Sequence, residues 1–333
     1  MIPGAMVLRH SLNASKLAAL MGAFAGCSAN AVGPQESRVA STLSQVDGGT
    51  DAGTRMSANA LTSTASTGEA AVCTAWASIR DRDTRETVWT AGASQCAAGT
   101  LADATRTAST QWVNYYRQLA GLATVAEVAS ERADSQACAV MLERNGQLSH
   151  TPPASWACAT ADARETAARS NLSGNVGFPM SPWLAVRGWI DEGRELTNTL
   201  GHRRWLLSPE LRTVTYGQTT SFACQVLGLG ARDPHAPRFV AWPPPGWVPT
   251  SVVGTTWSVS MNGINAAGTT LTVRRDGVAV AVTPQPRASG YGDDTLSWEI
   301  PTLAAGSVYE VHVGVRGAAS VDYEVRPTTC AHY

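Results

Sequence analysis

The stretch GHRRWLLSP at residues 201–209 carries the strongest signal in this chain of 333 residues, together with LSHTPP at residues 148–153. Each stretch places one histidine, His202 or His150, beside a short helix or turn. Two acidic residues, Glu165 and Glu192, lie between them in the sequence. Two imidazoles and two carboxylates in one cleft can hold a divalent metal ion or carry out acid–base chemistry. These four side chains are therefore the candidate site.

The segments around the two histidines predict a mixed α/β unit. Apolar residues at 129, 133, 137, 140 and 141 fall on one face of a helix. Ser181 followed by Pro182 is a good helix start, and Gly193 falls just past the expected end. The chain between these helices, including residues 171–175, is interpreted as irregular. Residues 213–217 and 222–229 then predict two strands.

After Pro237 the pattern becomes all-β. The stretch FVAWPPPGW at residues 239–247 cannot be helical, and we expect it to pack between domains rather than to form an exposed platform for a peptide or a sugar. Asn262-Gly263 and Asp276-Gly277 are hairpin signals. The alternating segments are residues 255–260, 269–275, 278–283, 295–300, 308–316 and 321–326. Together they predict a small β-sandwich of immunoglobulin-like type.

The N-terminus resembles an export signal. Arg9 and Lys16 supply positive charge ahead of the apolar run LAALMGAFAG at residues 17–26. This run is too short to cross a bilayer. The tetrapeptide FAGC that ends at Cys27 resembles a bacterial lipobox, in which the cysteine is acylated. Phe24 stands where such sites usually carry an aliphatic residue, so ordinary signal cleavage nearby stays an alternative. The chain is expected to be secreted or to be an outer-envelope lipoprotein.

Cysteine parity agrees with export. Removal of Cys27 leaves six cysteines, an even number that suits an oxidising compartment. Free buried thiols are the alternative, and many pairings are open. Proximity in the sequence favours the pairs Cys138–Cys158, Cys73–Cys96 and Cys224–Cys330. No C-x-x-C spacing occurs, which disfavours a thiolate zinc site.

Composition and missing motifs exclude several functions. The chain has 25 Lys plus Arg against 26 Asp plus Glu and no basic patch, so nucleic acid is not expected as a partner. Contact with a membrane is expected only through an N-terminal lipid anchor. The sequence has neither a Gly-x-Ser-x-Gly elbow nor H-E-x-x-H, the commonest zinc-protease signature. Arg203 and Arg204 are interpreted as helix-end charges rather than an anion site.

Four segments resemble the CAP superfamily, the sperm-coating-protein-like extracellular domains. VNYYRQLAGL at residues 113–122 resembles its opening helix, and LSH at 148–150 its first histidine segment. GHRRWLLSP is similar to its second histidine segment, and VTYG at 214–217 to the strand that follows. The resemblance covers roughly residues 105–230, and bacterial relatives append a β-domain much like residues 238–328. It implies an α–β–α sandwich with an open cleft lined by two histidines and two acidic residues.

Carried over by position, the resemblance makes His150 and His202 the cleft histidines and Glu192 the second acid. Glu165 is the candidate for the first acid, although this chain has Arg-Glu-Thr where the family usually shows Gly-Glu-Asn. An aspartate at 162 or 191 is the alternative. Neutral imidazole binds zinc or copper, and a carboxylate on its second nitrogen fixes the tautomer. Two histidines would hold zinc weakly and exchangeably. A structural polar cluster is the competing interpretation.

The expected fold class is α+β, a CAP-type α–β–α sandwich followed by a small all-β immunoglobulin-like sandwich. The expected parts are a signal peptide with a lipobox (1–27), a disordered Ser/Thr/Ala/Gly tether (28–69), an N-terminal extension (70–104), a CAP-like domain (105–232) and a β-sandwich domain (238–328).

The expected function is that of an exported, surface-tethered and non-catalytic protein. Its His/Glu cleft is predicted to bind a divalent metal ion and a lipid, a peptide or an envelope component. Two alternatives stay open. One is a metal-assisted, peptidase-like hydrolase with Glu192 as general base. The other is a structural or adhesive envelope protein.

Overall fold

The computed structural model describes residues 61–62, 68–80, 89–175, 179–192, 199–264, 268–301, 303–315 and 319–330. The chain divides into two units, Met1–Val32 and Gly33–Tyr333. The first unit lies outside the described residues, and with it the export signal and Cys27. Most of the predicted tether lies outside them as well. The boundaries between the predicted domains stay predictions.

The helices of the described residues are α1 (Glu69–Arg80), α2 (Asp103–Leu119), α3 (Arg132–Asn145), α4 (Ala161–Ala168), α5 (Pro182–Asp191) and α6 (Gly201–Leu206). The first eight strands are β1 (Leu61–Thr62), β2 (Trp89–Thr90), β3 (Thr100–Leu101), β4 (Ala126–Glu127), β5 (Ser170–Gly174), β6 (Leu211–Gln218), β7 (Phe222–Leu229) and β8 (Val240–Trp242). The later strands are β9 (Gly246–Pro249), β10 (Thr256–Ser260), β11 (Thr270–Arg275), β12 (Val278–Val280), β13 (Gln285–Pro286), β14 (Thr295–Glu299), β15 (Tyr309–Gly314) and β16 (Val321–Thr328).

The elements from α2 to β7 form a four-stranded sheet between two helical layers. The strand order is β4-β6-β7-β5, with β4 parallel to β6 and the other pairs antiparallel. Trp112 of α2 and Trp189 of α5 share a core with Tyr216 of β6. On the other face, Met141 of α3 and Ala163 of α4 share a second core with residues of β5 and β7. The predicted α–β–α sandwich is confirmed.

Local sequence signals explain where two of these helices begin and end. The Ser181 hydroxyl accepts a hydrogen bond from the backbone N–H of Leu184 at 3.2 Å, so α5 begins at Pro182 as predicted. Helix α3 ends at Asn145 and is capped by Gly146, whose φ of 62° favours glycine. Strands β6 and β7 are also confirmed. Residues 171–174, predicted to be irregular, form most of β5, because a polar strand that is buried gives no apolar alternation in the sequence.

The C-terminal part consists of two further sheets, as the alternating segments predicted. One has the order β1-β16-β15-β11-β12, with β9 also paired to β16, and the other has the order β13-β14-β10-β8. Trp257 of β10 contacts Tyr309 of β15 with 5.3 Å between ring centroids, which joins the two sheets. The immunoglobulin-like type stays a prediction.

Only one of the two predicted hairpins forms. Asp276 and Gly277 have φ of 52° and 78° and join the antiparallel strands β11 and β12, as an Asp-Gly hairpin turn requires. Asn262-Gly263 forms a turn, but the hairpin prediction is wrong. Strand β10 pairs with β8 and β14, whereas β11 belongs to the other sheet. An Asn-Gly pair determines only the local turn, whereas burial of the apolar face of a strand decides which strands it pairs with.

A continuous apolar core joins the α–β–α sandwich to the C-terminal sheets. Trp242, which is 1% exposed, contacts Tyr116 of α2 with 5.4 Å between ring centroids. The same core contains Trp189 of α5 and Trp298 of β14. The stretch at residues 239–247 therefore packs between the two parts, as expected. The α–β–α sandwich and the C-terminal sheets therefore share one apolar core.

The six cysteines outside the signal segment are all paired. The disulfides are Cys73–Cys330, Cys96–Cys158 and Cys138–Cys224. The three pairs favoured by sequence proximity are therefore wrong, although the prediction that all six form disulfides is confirmed. Packing decides the pairs, because α3 and β7 share one core and α1 lies beside the end of the C-terminal sheet. Three disulfides fit an extracytoplasmic protein.

No helix in the described part of the chain is long and apolar enough to cross a membrane.

Candidate functional site

The fold brings the two predicted histidines together. His150 follows the end of α3, and His202 lies in the first turn of α6. Their ring centroids are 6.2 Å apart and their planes are inclined by 37°. Both side chains are half-buried rather than sealed in a core. Residues distant in the chain thus form one partly accessible imidazole pair.

Both rings are held through Nδ1. The Nδ1 atom of His150 lies 2.9 Å from the carbonyl oxygen of Ala167, and Nδ1 of His202 lies 2.9 Å from Oε1 of Glu192. A carbonyl or a carboxylate oxygen only accepts hydrogen bonds, so each Nδ1 carries the proton. In the neutral rings Nε2 is then the atom with the lone pair. This is the arrangement that presents imidazole nitrogen to a metal ion.

Glu192 is buried, and both of its carboxylate oxygens contact neighbouring residues. It is 2% exposed, and its Oε2 accepts a hydrogen bond from the backbone N–H of Arg203 at 3.2 Å. Burial is the largest influence and by itself would raise the pKa of the Glu192 carboxyl. The charge and hydrogen bond of His202, together with the amide and charge of Arg203, outweigh it and lower the pKa below its ordinary value. Glu192 therefore stays ionised and orients His202.

His150 is kept in its neutral form. Burial is the main cause that lowers its pKa below the ordinary 6.5, and the nearby His202 adds to the effect. The hydrogen bond to Ala167 acts in the opposite direction and is weaker. At neutral pH the ring is therefore an uncharged imidazole, which is the form that binds metal ions.

The other predicted acids occupy different surroundings. Glu165 and Asp162 are exposed on α4, and the place of Glu165 in the cleft stays a prediction. Asp191 is half-buried, and its carboxylate lies against Gly254 of the C-terminal part. Among the described residues, no group of three or more His, Cys, Asp or Glu side chains is placed to hold a metal ion. The donor set that the geometry supports is the histidine pair.

The histidine pair could hold a metal ion weakly after a small adjustment. Zinc–nitrogen distances of about 2.0–2.1 Å and a tetrahedral angle set the centroids of two coordinating rings roughly 5–5.5 Å apart. The observed separation of 6.2 Å is wider by about 1 Å, so the rings would have to move towards each other on binding. Glu192 supplies the outer carboxylate that metal-binding histidines usually have. With two protein donors, water or a ligand would complete the coordination, so exchange would be fast compared with a four-ligand structural site.

The backbone around His202 is fixed by residues that the sequence did not reveal. Asn171 of β5, which is 1% exposed, donates from Nδ2 to the carbonyl oxygen of His202 at 3.2 Å. Gly201 lies against the ring of Tyr291, since a Cβ at this position would be 2.7 Å from its Cδ1. The sequence shows that Gly201 precedes His202. It gives no local signal that Tyr291, ninety residues further along, packs against this glycine.

Arg203 and Arg204 lie in the last turn of α6, as the helix-end interpretation expected, but both side chains are buried. They are 1% and 5% exposed. Burial lowers the pKa of the Arg203 guanidinium to about 10. Most donors of both side chains bond to backbone carbonyls, including those of Ile190, Thr256 and Ala288, whereas Nε of Arg204 has no partner among the described residues. These bonds replace the solvent that a surface arginine would have, and several of them lead into the C-terminal part.

Comparison with known families supports this architecture. The family model described as CAP, the cysteine-rich secretory protein family, matches residues 110–226. That segment includes both histidines of the pair, Glu165 and Glu192. A comparison with curated proteins found no match. The chain therefore carries a CAP domain of the cysteine-rich secretory protein family over residues 110–226.

Proposed function

We propose that this is an exported protein whose CAP domain binds a divalent metal ion reversibly between His150 and His202. The observation that carries the proposal is the imidazole pair, with 6.2 Å between ring centroids and with both Nδ1 atoms already engaged. Two oriented Nε2 atoms form a donor set for zinc or copper. The cleft around them would serve recognition rather than catalysis.

The metal ion would give the cleft a chemical preference. A bound zinc ion supplies positive charge and open coordination positions, which favour carboxylate, phosphate or carbonyl oxygen. His150 and His202 would hold the ion, and Glu192 would hold His202. A lipid headgroup, a peptide or an envelope polymer could each offer such oxygens. We propose one of these as the natural ligand.

The surroundings of Glu192 support a non-catalytic cleft over the hydrolase alternative. A general base needs a free oxygen within hydrogen-bond reach of the proton that it removes. In Glu192, Oε1 faces His202 and Oε2 faces the Arg203 amide, and the side chain is 2% exposed. Its lowered pKa makes it a weaker base still. No separate observation favours the adhesive alternative.

Export is supported by the three disulfides and by the charge–apolar–small order of the N-terminal sequence. We propose that acylation at Cys27 anchors the chain to the bacterial envelope and that the Ser/Thr-rich segment acts as its tether. Mass spectrometry of the native N-terminus tests this point. A diacylglyceryl group on Cys27 is the expected result, and a free N-terminus elsewhere would show ordinary cleavage.

The metal proposal is tested by thermal melting of the purified mature protein with and without zinc. A ligand that binds the folded state at roughly 100 times its Kd stabilises it by about 2.7 kcal/mol. We expect zinc to raise the melting temperature of the wild type and of His235→Ala, an exposed histidine outside the pair. The shift should vanish in His150→Ala and in His202→Ala. An equal shift in all four proteins would rule out this site.

The non-catalytic assignment has its own test. The wild type and Glu192→Gln are incubated with zinc and a mixture of peptides and esters. We expect no turnover by either protein. Zinc-dependent cleavage by the wild type that is lost in Glu192→Gln would establish the hydrolase alternative.

A further inference from the structure

Helix α6 lies between the histidine pair and the C-terminal sheets. His202 contacts His150 and Glu192 on one side. The next residue, Arg203, extends into the C-terminal part, where Nη1 donates to the carbonyl oxygen of Thr256 at 2.9 Å and to Oγ of Ser258 at 3.1 Å. Both acceptors belong to β10. In this short helix, His202 belongs to the histidine pair, and the adjacent Arg203 bonds to the C-terminal sheet.

Arg203 also holds the residue that orients His202. Its backbone N–H donates to Oε2 of Glu192 at 3.2 Å, and its Nε donates to the carbonyl oxygen of Ile190 at 2.6 Å. Ile190 is in the last turn of α5, two residues ahead of Glu192. One residue therefore connects the end of α5, the Glu192 carboxylate and strand β10.

The contacts leave the guanidinium little freedom. Arg203 is 1% exposed, and a charge buried to this degree is tolerated only when its donors are hydrogen-bonded. The planar fork of arginine fixes several acceptors in one geometry, which the single ammonium of lysine cannot reproduce. A shift of β10 relative to α5 would therefore break bonds at both ends of the side chain.

The neighbouring residue adds a second connection to the C-terminal part. Arg204 donates to the carbonyl oxygens of Ala288 at 2.6 Å and Asp293 at 2.9 Å. Its guanidinium carbon lies 5.5 Å from the ring centroid of Tyr291, which also packs against Gly201. Helix α6 is therefore attached to the C-terminal part on both sides of His202.

We infer that Arg203 is a positioning residue of the cleft and that the β-rich C-terminal part is a structural component of the metal-competent site. Strand β10 fixes the Arg203 side chain, Arg203 fixes Glu192, and Glu192 fixes the His202 ring. The inference rests on the proposed metal binding for one of its two readouts. The other readout, the state of the His202 ring in the metal-free protein, does not depend on it.

The test uses the full mature chain and three variants. Arg203→Lys keeps the charge but loses the fork, and Ser258→Ala removes one of the two acceptors on β10 and leaves the Thr256 carbonyl in place. Arg106→Lys is the matched control, because this buried arginine bonds to the carbonyl oxygen of Tyr216 rather than to α6. Zinc affinity is measured by calorimetry. The ¹⁵N chemical shifts of the His202 ring are measured near neutral pH without metal.

We expect Arg203→Lys to weaken zinc binding by about 10-fold or more, as the loss of an outer-shell partner does. The His202 ring shifts should move toward a mixture of tautomers. Ser258→Ala should change both readouts in the same direction by less, and Arg106→Lys should change neither. In a Glu192→Gln background Arg203→Lys should have little further effect, because the two residues act in series.

Each outcome decides the inference. Wild-type zinc affinity and unchanged ring shifts in Arg203→Lys would overturn it. If Arg203→Lys does not fold, unchanged readouts in Ser258→Ala overturn it instead. If the wild type binds no zinc, the proposed function fails, and the ring shifts alone then decide whether Arg203 positions His202.

Discussion

The Nδ1 atom of His202 and the Oε1 atom of Glu192 are 2.9 Å apart, and the carboxylate is 2% exposed. A buried carboxylate that accepts from Nδ1 leaves Nε2 as the donor for a metal ion. It also resists protonation, because the His202 and Arg203 contacts keep its pKa low despite burial. Glu192 therefore fixes the orientation of the His202 ring.

Replacement of this carboxylate should weaken metal binding without removing either ligand. Glu192→Gln removes the charge, and we expect zinc affinity measured by calorimetry to fall by about 10- to 100-fold. Glu310→Gln is the control, since Glu310 is exposed on β15, and we expect wild-type affinity there. An equal loss in both variants would contradict the specific role of Glu192.

Two glycines near the end of α5 should respond to alanine in opposite ways. A Cβ on Gly254 would overlap the carboxylate of Asp191, so Gly254→Ala should lower the free energy of unfolding by about 1–3 kcal/mol. Gly188 is exposed inside α5 with open space around it, and Gly188→Ala should raise stability by about 0.5–1 kcal/mol. Urea denaturation measures both. Equal effects would mean that the Asp191–Gly254 contact is unimportant.

The disulfide between Cys73 and Cys330 closes a loop with a sequence separation of 257. Its replacement by two serines should lower the free energy of unfolding by about 2–5 kcal/mol. The Cys96–Cys158 bridge has a separation of 62, so chain entropy predicts a loss that is smaller by about 1 kcal/mol. Hydrogen exchange of the α1 amides should rise only in the first variant. Unchanged exchange in α1 would argue against this bridge as its main restraint.

Asp276 should make stability depend on pH in strong acid. Its Oδ1 accepts from the backbone N–H of Val308 at 2.8 Å, and this bond is the main cause that lowers its pKa below 3.8. The folded pKa is thus lower than the unfolded one. The stabilisation is complete above the unfolded value and is lost as the pH falls through the folded value.

Asp276→Asn provides the comparison, because it keeps the hairpin turn and an acceptor oxygen without the charge. The stability difference between the two proteins should shrink in acid. Urea denaturation at a series of pH values measures it, and a difference that stays constant across the series would disprove the assignment.

The sequence was sufficient to find His150 and His202, because each lies in a short contiguous segment with a family resemblance. It did not identify the disulfide pairs. The entropy of loop closure grows only with the logarithm of loop length, so proximity in the sequence discriminates weakly between partners. Packing of α3 on β7 then selected Cys138 and Cys224.

The role of Arg203 could not be predicted for a different reason. Arginine is rarely buried, so a surface position is the natural expectation. Its acceptors are mostly backbone carbonyls, such as those of Thr256 and Ile190, which any residue type could supply. Only the relative placement of α5, α6 and β10 reveals the connection.

The bond between Cys73 and Cys330 also determines how the molecule carries mechanical load. Traction on the chain upstream of Cys73 reaches a covalent link to the end of the last strand before it reaches the CAP domain. The pull is therefore divided between the first helix and the far end of the fold. Strand β1 and the first turn of α1 can detach, but unfolding of the elements that follow Cys73 from the N-terminal side is resisted until that link is broken.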